Sequence, residues 1–319
     1  MSKITSKISV IGCGNVGMAY IYAAIIKAIA REFILVDIDT ERIKGEVMDL
    51  NHTAPFTKTI NIKAGEYTDI TNSDLVIITA GKNQEPGQTR LDIAQANVDL
   101  FKKIIPRIYN YAPEAIYLVV SNPVDILSYA AYKISGKDHR QIIGSGTTLD
   151  TARLRFKISE HCEVDPRNVH AYILGEHGDT EFPVWSRALI GGLLFDDYCH
   201  LCDKRDLCDR EERIDEIFKQ VKNSAYKIIE MKGETSYSIG LSLARISQAI
   251  INNENAILPV SCLINDYLGI DDVYLSLPRV LNKTGVRETL KLKLNKEEEN
   301  NLKNSADTLK RVLESVGFQ

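Results

Sequence analysis

His177 lies in the run Asn168-Val169-His170-Ala171-Tyr172-Ile173-Leu174-Gly175-Glu176-His177-Gly178-Asp179. With Gly175 and Gly178 on either side at the end of a strand-like stretch, its ring is expected to be sterically free and open to a cleft. A lone histidine is more often structural than chemical, but this one has partners. In Leu149-Asp150-Thr151-Ala152-Arg153 an acid and a base stand three apart and share one helix face. An imidazole titrates near neutrality, so a ring in this company can both give and take a proton.

A second constellation opens the chain. Gly12-Cys13-Gly14-Asn15-Val16-Gly17 follows a strand-like run, enters a helix, and stands 20 residues before Asp37 at the end of the next strand-like run. Taken alone, the three glycines mark turns. In this context they form a dinucleotide-binding fingerprint: Gly12 for the tight turn, Gly14 for close approach of a pyrophosphate, Gly17 for helix–strand packing. The helix N-terminus then faces the phosphate charge. Asp37 is placed to accept hydrogen bonds from the adenosine ribose, and its charge repels a 2′-phosphate, which favours NAD over NADP.

The elements that must position these groups change character along the chain. In the first half, strand-like runs at Ile8–Ile11, Phe33–Val36, Leu75–Thr79, Ile116–Val120 and Gln141–Ile143 alternate with helical stretches such as Val16–Ala30 and Thr89–Tyr109. Several runs are apolar throughout, which predicts an α/β fold: a doubly wound parallel sheet covered on both faces. Pro123, just after a strand, can start a helix. After about Gly146 the pattern becomes α+β: a helix at Leu149–His161, strands near Val169–Leu174 and Ala188–Leu194, and helices near Arg210–Met231 and Ser236–Asn252 broken at Gly233. Strands near Ala256–Ile264, Val273–Val280 and Gly285–Leu290 precede a last helix at Lys296–Val316. The expected division is 1–145 for the dinucleotide and 146–319 for the substrate, with a cleft between halves that no flexible linker separates.

Composition excludes other classes. The 319 residues are 44 % hydrophobic and 26 % charged with a formal net charge of −4, which argues against a dedicated nucleic-acid or membrane-surface binder. No uncharged apolar run reaches the ~20 residues of a membrane span. Met1-Ser2-Lys3-Ile4 leads into a strand without the apolar core of a signal peptide, so a cytoplasmic location is expected. Cys199-His200-Leu201-Cys202, with Cys208 behind, invites a zinc reading, but the second ligand pair of a closed site is missing. Thiols in a polar connecting segment are the favoured reading, and no metal is expected.

Several further motifs occur in a familiar order: Ser121-Asn122-Pro123-Val124-Asp125, Gly144-Ser145-Gly146-Thr147 through Arg153, Gly175–Asp179, Pro183-Val184-Trp185-Ser186 and Asn253-Glu254-Asn255-Ala256. With the glycine fingerprint they make nearly the whole chain resemble the lactate/malate dehydrogenase family. The resemblance implies a Rossmann-type first half and hydride exchange between NAD and a small 2-oxo or 2-hydroxy acid. It implies that His177 donates a proton to the 2-oxo oxygen and recovers it in reverse, with Asp150 orienting the ring. Arg153 then grips the substrate carboxylate in a two-pronged pair that a lysine could not reproduce. Asn122 hydrogen-bonds near the carbonyl and nicotinamide, and Arg90, in a loop over residues 80–91, polarises the carbonyl once that loop closes. Cofactor contacts are implied for Val16, Arg42, Tyr67, Gly81, Lys82, Ser121, Asn122, Ser145 and Ile239.

Gln84 discriminates the acid. Family members acting on malate carry an arginine there to pair with the second carboxylate. A neutral Gln84 would leave that charge buried and unpaired, at a cost on the order of 3–5 kcal/mol. Pyruvate, with a methyl group beside Thr235, suits the pocket. Three positions depart from the family pattern: Glu234 where alanine is common, Ser238 for glycine, and Gln88 for glutamate. An inward Glu234 would disfavour anionic side chains and reshape preference toward larger 2-oxo acids; an outward glutamate, which leaves the preference as it is, is the favoured reading. Arg155 and His170 match the pair by which members of the family bind fructose 1,6-bisphosphate as an activator, and a homotetramer is likewise implied. The competing readings are a malate or branched-chain 2-hydroxy acid dehydrogenase, and a non-catalytic NAD-binding protein. The intact set His177, Asp150, Arg153, Arg90 and Asn122 weighs against the last.

Overall fold

Short β-branched runs bounded by turn residues become strands, and the longer amphipathic stretches between them become helices. A computed structural model describes residues 6–82, 90–201 and 209–318, with only the backbone of Arg90 and Arg210. The first half runs β1 (Lys7–Ile11), α1 (Asn15–Ile26), β2 (Glu32–Val36), α2 (Thr40–Asn51), β3 (Asn61–Ala64), β4 (Leu75–Ile78), α3 (Arg90–Tyr111), β5 (Ile116–Val119), α4 (Val124–Ser135) and β6 (Ile142–Gly144). All five expected strands are present. The strand not anticipated is β3, whose only buried residue is Ile62 and which therefore carries no apolar run. The six pair in parallel in the order β6-β5-β4-β1-β2-β3, and the order reverses between β1 and β4. β4 and β5 are buried at every residue, as strands covered on both faces must be.

The second half continues with α5 (Thr148–Cys162), β7 (Val169–His170), β8 (Ile173–Leu174), β9 (Phe182–Pro183), β10 (Leu189–Ile190), β11 (Leu193–Leu194), α6 (Phe195–Leu201), α7 (Arg210–Lys232), α8 (Tyr237–Ile251), β12 (Ala256–Ile264), β13 (Val273–Asn282), β14 (Gly285–Thr289) and α9 (Lys296–Ser315). The stretch Val169–Leu174, one strand by apolar pattern, divides in two because its halves find different partners: β7 pairs with β10 and β8 with β9. Cys199 and His200 sit on the short helix α6 rather than in an irregular connection, while Cys202 and Cys208 lie outside the described residues.

Two contacts weld the halves. The antiparallel hairpin β12–β13–β14 joins the parallel sheet through Ser261 opposite Gly144, so one sheet of nine described strands crosses from one half to the other. Helix α8 lies directly on α1: a Cβ on Gly240 would come within 2.6 Å of the Ala19 backbone. The Tyr20 hydroxyl and Ser247 hydroxyl close the same interface at 3.0 Å. Because the obstacle is backbone, side-chain rotation cannot relieve it. Gly240→Ala is expected to destabilise the protein by about 2 kcal/mol, read as a fall in the urea midpoint at unchanged slope.

Candidate active site

The C-terminal ends of the parallel strands converge on one edge of the sheet, where ligands of such folds bind. Gly12 follows β1 with φ +90°, and a Cβ there would stand 2.5 Å from the Ala80 nitrogen. A Cβ on Gly17 would meet the Gly12 carbonyl oxygen at the same distance, so this turn is closed to larger residues. Gly14 is the opposite case: nothing lies within 4 Å of where its Cβ would point. It caps α1 without a side-chain hydrogen bond, and the first turn holds no acid, so the helix N-terminus is an open cradle for an anion. The Cys13 thiol points the other way into the core, and burial, reinforced by the Asp37 charge, pushes it up to about 12.

Asp37, one residue past β2, is locked rather than loosely solvated. It accepts from the Cys13 N–H at 2.6 Å and the Asp39 N–H at 3.0 Å, with Arg42 Nη2 at 3.5 Å. Arg42 also donates to the Cys13 carbonyl at 2.6 Å. The remaining lone pairs of the Asp37 carboxylate are those a ribose diol would engage, so cradle and carboxylate together fit a dinucleotide. Val16 lies half-buried on the first turn of α1. Tyr67 follows β3, its ring face covered by the Arg107 guanidinium at 3.9 Å. Gly81 and Lys82 follow β4, Ser121 and Asn122 follow β5, and Ser145 follows β6. Asn97, buried on α3, is a residue that sequence reasoning missed. It accepts from the Lys82 N–H at 2.7 Å and donates to the Lys82 and Asn122 carbonyls at 3.2 and 2.8 Å, fixing two of these loops to each other.

The proton-handling group assembles beside this edge. Asp150 and Arg153 share the expected face of α5, with Arg153 Nη1 donating to Asp150 Oδ1 at 3.0 Å. The other oxygen, Oδ2, is 2.6 Å from His177 Nδ1. Burial alone would raise the Asp150 carboxyl, but the His177 and Arg153 charges overcome it and hold the group below its ordinary value. Burial alone would likewise lower the His177 imidazole. The Asp150 charge and hydrogen bond reverse this, with Glu181 and Asp125 behind them, and hold it at about 9. With Nδ1 donating to Asp150, Nε2 is left as the exchangeable position, and 28 % of the side chain remains exposed to meet a ligand.

The loop carrying His177 is stapled from below. Its N–H donates to Asp125 Oδ2 at 2.8 Å, while Asp125 Oδ1 accepts from the Ser261 hydroxyl at 2.5 Å. Asp125, fully buried and pushed up to about 6 by burial, opens α4 three residues after Asn122. It therefore ties the Asn122 turn to the His177 loop. The motif containing it was read as a signature, and its mechanical role shows only when the two loops meet. Asp150, His177 and Glu181 each bring a ligand atom within 4.8 Å of one another, but Asp150 is already engaged by two cations, which leaves a metal ion little to gain there.

The other predicted residues fall as follows. Thr235 is half-buried between α7 and α8, and Ile239 packs on the core from the first turn of α8. Glu234 is partly exposed: Oε1 accepts from the Ser236 hydroxyl at 2.9 Å and lies 3.8 Å from Lys232 Nζ, while Oε2 is buried without a hydrogen-bond partner. Ser238 is exposed on α8. Arg155 donates from Nε to the Ala171 carbonyl at 3.0 Å, beside the exposed His170. Gln84, Gln88 and the Arg90 side chain lie outside the described residues.

Models of known families match this chain twice: the lactate/malate dehydrogenase NAD-binding domain over residues 6–144, and the lactate/malate dehydrogenase α/β C-terminal domain over residues 147–317. The chain belongs to the lactate/malate dehydrogenase family. It is an NAD-dependent dehydrogenase. A curated family member, L-lactate dehydrogenase 1 of Clostridium acetobutylicum, is 47 % identical over 314 residues, covering 98 % of this chain and 99 % of that protein. L-lactate dehydrogenase 1 of Listeria monocytogenes is 46 % identical over 98 % of each chain. Among solved structures, a lactate dehydrogenase from a Medee basin deep-sea metagenome library superposes with a TM-score of 0.95 at 46 % identity, over 98 % of this chain and 99 % of that one. The minor L-lactate dehydrogenase of Enterococcus mundtii does so at 0.95 with 38 % identity, over 99 % and 100 %.

Removing the staple tests its importance. Asp125→Ala leaves the His177 N–H and the Ser261 hydroxyl without acceptors in a buried place. It is expected to lower stability by about 2 kcal/mol in chemical unfolding and to reduce dehydrogenase turnover.

Proposed function

We propose that this chain is an L-lactate dehydrogenase, interconverting pyruvate, NADH and a proton with (S)-lactate and NAD⁺. The observation that carries the reading is the 2.6 Å contact of His177 Nδ1 with a carboxylate that Arg153 also holds. NADH, when bound, supplies the hydride for the carbonyl carbon. His177 gives its Nε2 proton to the carbonyl oxygen and takes it back in the reverse direction. Asp150 stabilises the charged ring before transfer and keeps its tautomer afterwards. Arg153 spends Nη1 on Asp150, which leaves Nη2 and Nε for the substrate carboxylate.

In the same reading Asn122 hydrogen-bonds at the carbonyl, Arg90 polarises it, Thr235 borders the methyl group, and Ile239 lies against the nicotinamide ring. Gln84 rejects a second carboxylate, which disfavours malate. Residues 1–145 hold the coenzyme and 146–319 the substrate. The enzyme works in the cytoplasm as a homotetramer, in which exposed apolar side chains such as Tyr22, Ile26, Met48, Tyr237 and Leu241 gain cover. A branched-chain 2-hydroxy acid dehydrogenase is the second reading. It is supported by Glu234, which stands next to Thr235 where the family commonly has alanine and whose Oε2 is buried without a hydrogen-bond partner.

The proton chemistry fixes the pH dependence. Reduction requires protonated His177, so kcat/KM for pyruvate should be level through neutrality and fall with a midpoint near the imidazole value of about 9. Lactate oxidation requires the neutral ring and should rise over the same range. NADH oxidation measured in parallel with pyruvate, oxaloacetate and 2-oxoisocaproate decides the acid: pyruvate should be fastest, and either of the others leading would overturn the assignment.

Fructose 1,6-bisphosphate is proposed as an activator held by Arg155 and His170. Arg155 donates to the carbonyl of Ala171, the residue after the exposed His170, which supports reading the two as one site. The sugar bisphosphate should lower the pyruvate concentration for half-saturation, and Arg155→Gln should abolish the response. An unchanged saturation curve in the wild type would remove the effector site.

A further inference from the structure

Glu181 lies four residues beyond His177, immediately before β9, and is 7 % exposed. Its carboxyl makes no hydrogen bond with any described residue, yet its nearest oxygen lies within 4.8 Å of ligand atoms of both Asp150 and His177. Nothing in the proton-transfer step uses it. A buried carboxyl group is normally hydrogen-bonded or ion-paired, and this one is set against another carboxylate.

The charges that act on it come from several elements. Asp150 and Arg153 approach from α5, His177 from its own loop, and Lys222 from α7. Lys222 donates its ammonium to the Asp179 carbonyl at 2.6 Å, and Arg153 donates to Asp150, so each of these cations already has another acceptor. Asp125, on α4, adds a further acidic group on the His177 side. Two carboxyl groups this close in a dry site do not both ionise readily. Asp150, between two cations, takes the charge. Burial and the Asp150 charge push the Glu181 carboxyl up toward the range of the imidazole, which favours its neutral form beside ionised Asp150.

We propose that Glu181 is a positioning residue of the proton site, a buried carboxyl standing beside Asp150 and His177 that sets how tightly His177 holds its proton. The inference rests on His177 being the proton carrier. Below neutrality Glu181 is a neutral neighbour. As the solution turns alkaline it loses its proton in the same range as the imidazole, and the new negative charge delays the ring's own deprotonation. Pyruvate reduction thereby persists to higher pH than the Asp150–His177 pair alone would allow.

The test is a titration in cofactor-free protein alongside a rate profile. Histidines labelled with ¹⁵N are followed by NMR from pH 6 to 10.5, the His177 signal being the one absent from His177→Asn. In Glu181→Gln the His177 midpoint should fall by about half a unit or more, and the alkaline limb of kcat/KM for pyruvate should fall with it. Glu181→Asp, which keeps the ionisable group, should restore part of the shift. Thermal unfolding of each variant checks that it is folded, and should Glu181→Gln not fold, the Glu181→Asp midpoint relative to wild type is read instead. Unmoved midpoints in the folded variants overturn the inference while leaving His177 as proton carrier. A wild-type enzyme that reduces pyruvate with no alkaline limb overturns the proton-carrier reading itself, and the role of Glu181 with it.

Discussion

One carboxylate, Asp150, holds two cations at once: the imidazole of His177 at 2.6 Å and the guanidinium of Arg153 at 3.0 Å. Each partner alone would be a charged group partly removed from water, and each would be driven toward neutrality or outward rotation. Around a shared anion they settle together. The arrangement is economical because its three members come from only two segments, a helix turn and a glycine-bounded loop. Most of the other polar residues near the site either fix the distance between those segments or fix the glycine-loop edge relative to them.

Fixing those distances is the task of the polar residues inside the sheet's border. Asp125 joins the Asn122 turn to the His177 loop and is itself held by Ser261 of β12. Asn97 joins the turn after β5 to the segment after β4. Below them the hairpin β12–β14 extends the parallel sheet, so the α+β half is hydrogen-bonded to the coenzyme half rather than only packed against it. Position, in this molecule, is transmitted through backbone and through buried hydrogen bonds. Surface ion pairs such as Lys44–Glu41 contribute little to it.

The coenzyme edge was legible from the sequence because its constraints are local. A glycine that must take φ +90°, a helix that must begin uncapped, and an acid at the end of the next strand all leave their mark within about 25 residues of chain. The Asp150–Arg153 pair was legible for the same reason, being one helix turn. Residues whose work is defined by partners far along the chain were not. Asp125 meets His177 across 52 positions and Ser261 across 136, and no spacing rule reports that. Strand β3 escaped because an edge strand needs one buried residue, Ile62, not an apolar run. The stretch Val169–Leu174 was apolar enough for a strand but could not reveal that its two ends pair with different neighbours.

Cys13 occupies the variable position between the first two glycines of the coenzyme loop, with its backbone facing the ligand edge and its sulfur facing the core. Burial and the nearby Asp37 carboxylate keep that sulfur a thiol, up to about 12. Thiolate is the form that alkylating agents and peroxides attack. The sulfur of this loop therefore faces away from the ligand edge and is chemically silent. Oxidative attack on this enzyme would have to begin at another sulfur.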